Sequence, residues 1–432
     1  MPHLLATSDP DFAQAFDSLL GLREASQPAV DQVVSGIIAD VRMRGVQAVL
    51  ELTETFDRLA LTPDTVALSK AEMAAEIAKV PTAERDALQQ AADRIRAYHE
   101  RQLPTDADWT DETGTRLGWR WTPVDRAGLY VPGGLASYPS SVLMNAIPAQ
   151  VAGVRDLIIC APTPDGAINP LVILAAQLGG VSRIFRIGGA QAIAAMAYGA
   201  APVPSVDVIT GPGNAYVAEA KRQVFGRVGI DMIAGPSEVL VIADANNDPD
   251  WIALDLMAQA EHDAEAQAIL ITNDAGFALA VNNAINARLE TLERAEIAGA
   301  SWRDYGAIIT VANMAEAPAL ANRIAPEHLE ILTADPEALL SEIRHAGAVF
   351  LGQYTPEAIG DYVGGPNHVL PTSGSARFSS GLSVLDFMKR TTVSALSPAA
   401  LRAVGPAAAT LARSESLEAH ALSVERRLAT LN

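Results

Sequence analysis

Short apolar runs alternate with longer stretches of helical periodicity twice along this chain, and this alternation constrains the fold more than any other feature. In the first series the runs cover residues 156–161, 183–189 and 206–214. In the second series they cover residues 237–244, 268–274, 306–311, 330–333 and 347–352. Because parallel neighbours in a sheet need a crossover that is usually a helix, this spacing predicts right-handed βαβ units. The sequence therefore predicts an α/β fold with two parallel-sheet units.

The regions that flank the two series indicate how the chain is divided. Residues 11–101 have mostly helical periodicity, and the chain turns helical again after residue 387. We expect the N-terminal helices to be continuous in space with the second series. The predicted parts are an N-terminal helical arm (1–25), a discontinuous first α/β domain (26–129 and 237–381), a second α/β domain (130–236) and a C-terminal helical tail (382–432). Such a tail can cover its own body or reach a partner subunit.

Charge and hydropathy exclude several classes of partner. The chain has 31 Lys and Arg against 51 Asp and Glu, and its formal net charge of -20 repels nucleic acid and anionic membrane surfaces. It contains no run of about 18 apolar residues, as a membrane span needs, and its first residues lack the pattern of a secretory signal. We therefore expect a cytoplasmic protein with no nucleic-acid partner and no membrane partner.

The single cysteine, Cys160, limits the redox and metal chemistry of the chain. One thiol forms neither an internal disulfide nor a thiolate zinc site, so any metal must be held by nitrogen and oxygen ligands. A thiolate can trap an aldehyde before hydride loss. However, Cys160 lies in the apolar run L-I-I-C-A-P, which favours a buried and inert thiol.

Three glycine turns follow predicted strands, at residues 131–134, 187–191 and 210–214. Free backbone N–H groups at the start of a helix attract anions, so each turn can be a phosphate site or an ordinary βα connection. None of the three has the G-x-G-x-x-G pattern of a dinucleotide fold. Their occurrence within one α/β unit favours the phosphate site.

Several polar side chains lie close in sequence to a histidine. The pairs are Glu327 with His328, Gln259 with His262, Asp361 with His368, and Glu415 with His420. Gln259 and His262 share one face of a predicted helix and can offer an oxygen and a nitrogen to one cation, although two ligands do not complete a metal site. At each pair, the sequence spacing is compatible both with a functional site and with ordinary polar surface.

Taken together, these motifs resemble those of the histidinol dehydrogenase family. The matching stretches are G-L-Y-V-P-G-G (128–134), I-G-G-A-Q-A-I-A-A-M-A-Y-G (187–199), G-P-G-N-A-Y-V-A-E-A-K (211–221), D-M-I-A-G-P-S-E-V-L-V-I-A-D (231–244), Q-A-E-H-D (259–263), A-P-E-H-L-E (325–330), G-D-Y-V-G-G-P-N-H-V-L-P-T (360–372) and S-S-G-L-S-V-L-D-F-M-K-R (379–390). This ordered set is far more specific than a single glycine turn. One departure is Ser416, where the family pattern has a glycine.

The resemblance implies a homodimer with shared active sites and one Zn²⁺ per subunit. Its implied metal ligands are Gln259, His262, Asp361 and His420, the last from the neighbouring subunit. These four residues are also implied to bind substrate, together with Ser237, His328, His368 and Glu415. The implied NAD contacts are Tyr130, Gln191 and Asn214 in the second α/β domain. In this family the two α/β units are incomplete Rossmann-like folds.

The family reaction oxidises L-histidinol through L-histidinaldehyde to L-histidine with two NAD, as the last step of histidine biosynthesis. It needs a base for the hydroxyl proton and a carboxylate that activates water at the aldehyde, and the resemblance assigns these roles to His328 and Glu327. Two other interpretations stay open. One is a paralogous zinc- and NAD-dependent dehydrogenase of another small primary alcohol, and the other is a binding module without catalysis.

Overall fold

The computed structural model describes residues 2–22, 28–133, 138–233 and 235–431. Within these ranges the strands are β1 His3–Ala6, β2 Ala107–Thr110, β3 Arg116–Pro123, β4 Arg126–Tyr130, β5 Asp156–Cys160, β6 Arg183–Phe185, β7 Val208–Thr210, β8 Gly229–Ile230, β9 Glu238–Ala243, β10 Gln267–Thr272, β11 Ala307–Thr310, β12 His328–Leu332, β13 Ala348–Leu351 and β14 Met388–Ala395. The helices are α1 Phe12–Gly21, α2 Pro28–Arg44, α3 Val46–Asp57, α4 Lys70–Ile77, α5 Thr82–Glu100, α6 Pro139–Ala152, α7 Pro170–Leu178, α8 Gly189–Tyr198, α9 Ala215–Val224, α10 Pro249–Ala260, α11 Ala275–Leu289, α12 Ala295–Asp304, α13 Ala317–Ile324, α14 Pro336–Leu340, α15 Glu357–Tyr362, α16 Pro398–Ser414 and α17 Glu418–Ala429.

Two parallel sheets form the body of the protein, which confirms the α/β prediction. The five-stranded sheet has the order β6-β5-β4-β7-β8, and the six-stranded sheet has the order β1-β11-β10-β9-β12-β13. Leaving β1 aside, each unit starts at an inner strand, adds two strands on one side and then two on the other. This is the strand order of a doubly wound fold, and each sheet has a switch point where the order reverses.

Both faces of each sheet are covered by helices, and the side chains of the central strands alternate between the two layers. On β9, Val239 and Val241 pack with α10, α11 and α12, whereas Leu240 and Ile242 pack with α1 and α13. A strand buried on both faces has a continuous apolar sequence, which explains why the runs E-V-L-V-I-A and Q-A-I-L-I-T were predictable.

Helix α1 packs on the six-stranded sheet, as expected, but α2 to α5 pack on the other sheet. Helix α2 packs against α8 and α9, and α5 packs against α6 and α7, so both cover the five-stranded sheet. The prediction that these helices continue the second series is wrong in this respect. Helical periodicity identifies the apolar face of each helix but not the sheet that the face will cover.

Two strands occupy segments that were predicted as helical. Strand β1 lies within the predicted arm and pairs in parallel with β11 at the edge of the six-stranded sheet. Strand β14 lies at the start of the predicted tail and pairs in antiparallel fashion with β3, which also pairs with β2. Nearly every residue of β14 is exposed, so the strand has no apolar alternation, although Thr391, Thr392 and Val393 favour extended backbone.

The rest of the C-terminal tail is helical, as predicted. Helices α16 and α17 pack on each other, and Gly405 of α16 faces Leu428 and Val424 of α17. Ser416 in the connection has a φ of 63°, a left-handed conformation in which glycine is the least strained residue. Among the residues that the structure describes, no helix is long and apolar enough to cross a membrane.

A substitution at Phe16 tests whether the N-terminal segment is part of the hydrophobic core. Its side chain is fully buried in the core beneath the six-stranded sheet, and the Arg323 guanidinium lies 4.7 Å from its ring centroid. We expect Phe16→Ala to lower the free energy of unfolding by about 3 to 5 kcal/mol, measured by urea denaturation. The control Phe56→Ala removes a ring that is 55% exposed and should change the same quantity by less than about 0.5 kcal/mol. Equal effects would show that the segment is not part of the core.

Candidate active site

A cavity of about 580 Å³ lies between the two sheets, and most of the predicted site residues line it. On the side of the five-stranded sheet the wall is the turn that joins β7 to α9. On the side of the six-stranded sheet the wall comes from the segments next to β9, β12, α10 and α15. The lining residues include Gly211, Asn214, Ser237, Gln259, His262, Glu327, His328, Glu357, Asp361 and His368.

The two sheets present opposite ends to this cavity. The β7–α9 turn follows the carboxyl end of β7, which lies beside β4 at the switch point and is the usual ligand position in an open α/β sheet. By contrast, Glu327 precedes β12, and His328 is its first residue. These two side chains therefore lie at the amino ends of β9 and β12, at the switch point of the six-stranded sheet.

Glu327 and His328 are both bound to the backbone of one residue in the neighbouring strand. The N–H of Glu238, the first residue of β9, donates to Oε2 of Glu327 at 2.9 Å. Nδ1 of His328 lies 3.0 Å from the carbonyl oxygen of Glu238. Because a carbonyl oxygen only accepts, Nδ1 must carry the proton, so Nε2 carries the lone pair. Nε2 is buried and has no hydrogen-bond partner among the described residues.

Burial shifts both groups towards their neutral forms. It lowers the pKa of His328 to about 4, against the opposing effect of Asp361 and of the Glu238 carbonyl. It raises the pKa of Glu327 well above its ordinary value, against the opposing hydrogen bond from the Glu238 N–H. The imidazole is therefore uncharged at neutral pH, and the carboxyl group is a stronger base than an exposed glutamate would be.

Three of the four predicted metal ligands meet at the same cavity. Gln259 lies on the buried face of α10 near its C-terminus, His262 follows α10, and Asp361 lies on α15. Nε2 of His262 lies 3.9 Å from Oδ2 of Asp361, and Nδ1 of His262 is buried without a hydrogen-bond partner. His368 donates from Nδ1 to the backbone oxygen of Asp361 at 3.0 Å, and the same nitrogen lies 3.5 Å from Oδ1 of Asp361.

Glu357 is a site residue that sequence reasoning missed. Its Oε1 lies 3.5 Å from Nδ1 of His328, and ligand atoms of Glu357, His328 and Asp361 lie within 4.8 Å of one another. With the Gln259 amide turned so that its nitrogen faces this carboxylate, the nitrogen donates to Oε1 of Glu357 at 2.8 Å. The Gln259 oxygen then stays available to a cation. Glu357 begins a short helix after Pro356, and no motif in the sequence distinguishes it from an ordinary first-turn acid.

Two of the predicted metal and substrate ligands do not meet the others within the chain. Glu415 directly follows α16 and His420 lies on α17, and both are exposed and absent from the lining of the cavity. A single copy of the chain therefore brings together Gln259, His262 and Asp361 but not His420. The supply of His420 and Glu415 by a partner subunit stays a prediction.

The three predicted NAD contacts have different surroundings. Asn214 lines the cavity, and its Oδ1 accepts from the N–H groups of Tyr216 and Val217, which caps α9. Tyr130 and Gln191 are buried, and the Tyr130 hydroxyl accepts from the N–H of Gly189 at 3.0 Å. Burial raises the pKa of Tyr130 to about 12. Their contact with NAD stays a prediction, and Gly134 of the first glycine turn lies outside the described residues.

Cys160 is buried and does not line the cavity. Burial raises the pKa of its thiol, so the reactive thiolate is disfavoured. The prediction that Cys160 is a buried thiol is therefore confirmed, and its lack of reactivity stays a prediction.

Comparison with known proteins identifies the family. The sequence model for histidinol dehydrogenase matches residues 22–428. The chain is 69% identical to the histidinol dehydrogenase of Ruegeria pomeroyi and 67% identical to that of Cereibacter sphaeroides, in each case over 100% of both chains. The crystal structure of histidinol dehydrogenase from Elizabethkingia anophelis superimposes with a TM-score of 0.94 at 35% identity, covering 100% of this chain and 99% of that one. The chain thus belongs to the histidinol dehydrogenase family.

Proposed function

We propose that this protein oxidises L-histidinol through L-histidinaldehyde to L-histidine in two successive NAD-dependent steps, as the last reaction of histidine biosynthesis. One observation carries the proposal. The imidazole of His328 lies at the cavity with its Nδ1 3.7 Å from Oε2 of the buried Glu327, and its Nε2 carries a free lone pair. Membership of the family supports the same activity.

The first oxidation needs a base for the hydroxyl proton of the substrate. Nε2 of His328 takes this proton as a hydride leaves the carbinol carbon, and the aldehyde results. The bond from Nδ1 to the Glu238 carbonyl holds the imidazole in the tautomer that can accept at Nε2. Bound NAD supplies the hydride acceptor in both oxidations.

The second oxidation needs a water molecule to add to the aldehyde. Glu327 takes a proton from this water as the water oxygen bonds to the carbonyl carbon, and His328 returns the proton it took in the first oxidation to the carbonyl oxygen, so that a neutral hydrate results. The hydrate has a hydroxyl group and a carbon-bound hydrogen, so His328 can again take the proton while a second hydride leaves. The raised pKa of Glu327 makes its carboxylate a more effective base for water.

We infer that Gln259, His262 and Asp361 hold one Zn²⁺ together with His420 of the partner subunit. These donors are nitrogen and oxygen atoms, and the 3.9 Å between Nε2 of His262 and Oδ2 of Asp361 fits one cation bound by both. Zinc bound there would supply a positive charge that binds the nitrogen lone pairs of the substrate. It would disfavour protonated substrate, in which these lone pairs are occupied. A second cavity of about 890 Å³ borders His328, Asp361 and His368 and gives room for side chains from another subunit.

Reaction stoichiometry tests the proposed activity. We expect the purified protein to form two NADH for each L-histidinol, to lose activity when zinc is chelated, and to recover it when zinc is restored. NADH absorbance and metal analysis of the protein measure these quantities. Faster turnover of another small primary alcohol would favour the paralogous dehydrogenase, and no turnover of any alcohol would favour a binding module.

A further inference from the structure

A buried ion pair lies next to the glycine turn of the five-stranded sheet, and both of its members border the cavity. The Lys221 ammonium in the last turn of α9 contacts the carboxylate of Asp231, which follows β8, and their side chains are 3% and 1% exposed. Burying two charges costs free energy, and an apolar pair of similar size is often as stable. The stability of the fold is therefore a weak explanation for this pair.

Both members of the pair bind the backbone of Gly211, the first residue of the turn. The N–H of Gly211 donates to Oδ2 of Asp231 at 2.8 Å, and Nζ of Lys221 donates to the Gly211 oxygen at 3.0 Å. Gly211 has a φ of 114°. A β-carbon at this position would lie 2.0 Å from the backbone carbonyl oxygen of Tyr130. The pair thus fixes a backbone conformation that brings the ends of β4 and β7 close together.

The turn is held at its other end as well. Asn214 caps α9 through its side chain, so the Gly211–Asn214 turn is fixed between the ion pair and the start of the helix. Its backbone lies at the switch point and at the N-terminus of α9, where N–H groups and the helix dipole favour a phosphate. The Lys221 ammonium binds Asp231 and the Gly211 carbonyl oxygen. Its charge is therefore compensated, and its role is to hold the backbone of the turn rather than to attract a phosphate as an unpaired cation.

The same carboxylate also reaches the segment that leads to the other sheet. Oδ1 of Asp231 accepts from the N–H of Met232 at 2.7 Å. The chain then runs to Ser237, which lines the cavity next to β9, and Gly235 on the way donates its N–H to Oγ1 of Thr372 at 2.6 Å. Asp231 therefore ties the turn to the start of the connection between the two sheets.

We propose that Lys221 and Asp231 are positioning residues for NAD, and that their ion pair holds the Gly211–Asn214 turn in the conformation that receives the pyrophosphate of the dinucleotide. The inference rests on the proposed function. It predicts that neutralising the pair weakens NAD binding and leaves the residues around Glu327 and His328 in place.

The double variant Lys221→Met/Asp231→Asn tests the inference, because it removes both charges and leaves neither one unpaired. We expect the KM and the dissociation constant for NAD to rise by about 10- to 100-fold, since small displacements of a bound reactant have effects of this size. The kcat at saturating NAD and the zinc content should stay close to those of the parent. Calorimetric titration with NAD, below the unfolding temperature of each protein, gives a measure of binding that does not depend on turnover.

The control Lys79→Met makes the same change in an exposed pair with Glu76 and should leave NAD affinity unchanged. The single variant Asp231→Asn preserves the shape of the side chain and should weaken NAD binding in the same direction. A folded double variant with parental NAD affinity would overturn the inference, and so would a double variant that fails to fold, since the pair would then serve stability. A parent that binds NAD but does not oxidise L-histidinol would contradict the proposed function instead.

Discussion

Glu327→Gln should stop the reaction at the aldehyde. The glutamine oxygen can still accept the N–H of Glu238, so the fold and His328 stay in place, but the amide cannot take a proton from water. We expect the rate of aldehyde oxidation to fall by about 100- to 10,000-fold, the usual range for loss of a general base. Alcohol oxidation should fall much less, so the yield of NADH for each L-histidinol should approach one rather than two. Single-turnover measurements started from the alcohol and from the aldehyde separate the two rates.

Glu330→Gln is a matched control for this variant. Glu330 is a buried acid three residues after Glu327, but its Oε1 accepts from the N–H of Glu357 and it does not line the cavity. Whatever its effect on stability, this variant should leave the ratio of the two oxidation rates unchanged. If Glu327→Gln slowed both oxidations equally, the separate roles of Glu327 and His328 would be wrong.

Mixed dimers of two inactive variants should recover activity. If His420 of one chain completes the metal site of the other, then a dimer of a His420→Ala chain and a His262→Ala chain has one intact site and one doubly defective site. Random assembly of equal amounts in a twofold dimer should therefore restore about one quarter of the parental activity. Coexpression with two different affinity tags isolates the mixed dimer, and this doubly tagged fraction should show about one half of the parental activity per dimer.

The control for this experiment combines His262→Ala with Asp361→Ala. Both residues contribute to the cavity from the same chain, so every site in the mixed dimer has one defective ligand and no activity should return. Restoration in this control would mean that the ligands are divided between subunits in another way. Absence of restoration in the first mixture would contradict donation of His420 across a dimer.

Much of the fold was predictable because central parallel strands are buried on both faces. The run from Glu238 to Ala243 is apolar except at its first residue, and so it stands out from the helical stretches on either side. Strand β12 was placed two residues late, because His328 is polar although it is buried. The order of strands in each sheet and the sheet that a helix covers depend on long-range packing, which periodicity does not record.

The candidate site was predictable where residue type and motif coincide, and not elsewhere. Glu327 and His328 stand side by side in a recognisable stretch, and they reach the cavity together. Glu357 reaches it through the position of α15, a tertiary relation with no local signal. The separation of His420 from the cavity of its own chain also follows from the path of the tail, which the amino-acid spacing does not specify.

The binding of Glu327 and His328 to a single residue of β9 has a mechanical consequence. Because one binds the N–H and the other the C=O of Glu238, the positions of the water-activating acid and the proton acceptor relative to β9 are set by the alignment of two adjacent strands. A distortion that slides β12 along β9 moves both groups by the same amount. Strain in this strand pair would therefore slow both half-reactions in parallel, so a change that separates their rates points to the chemistry of one side chain.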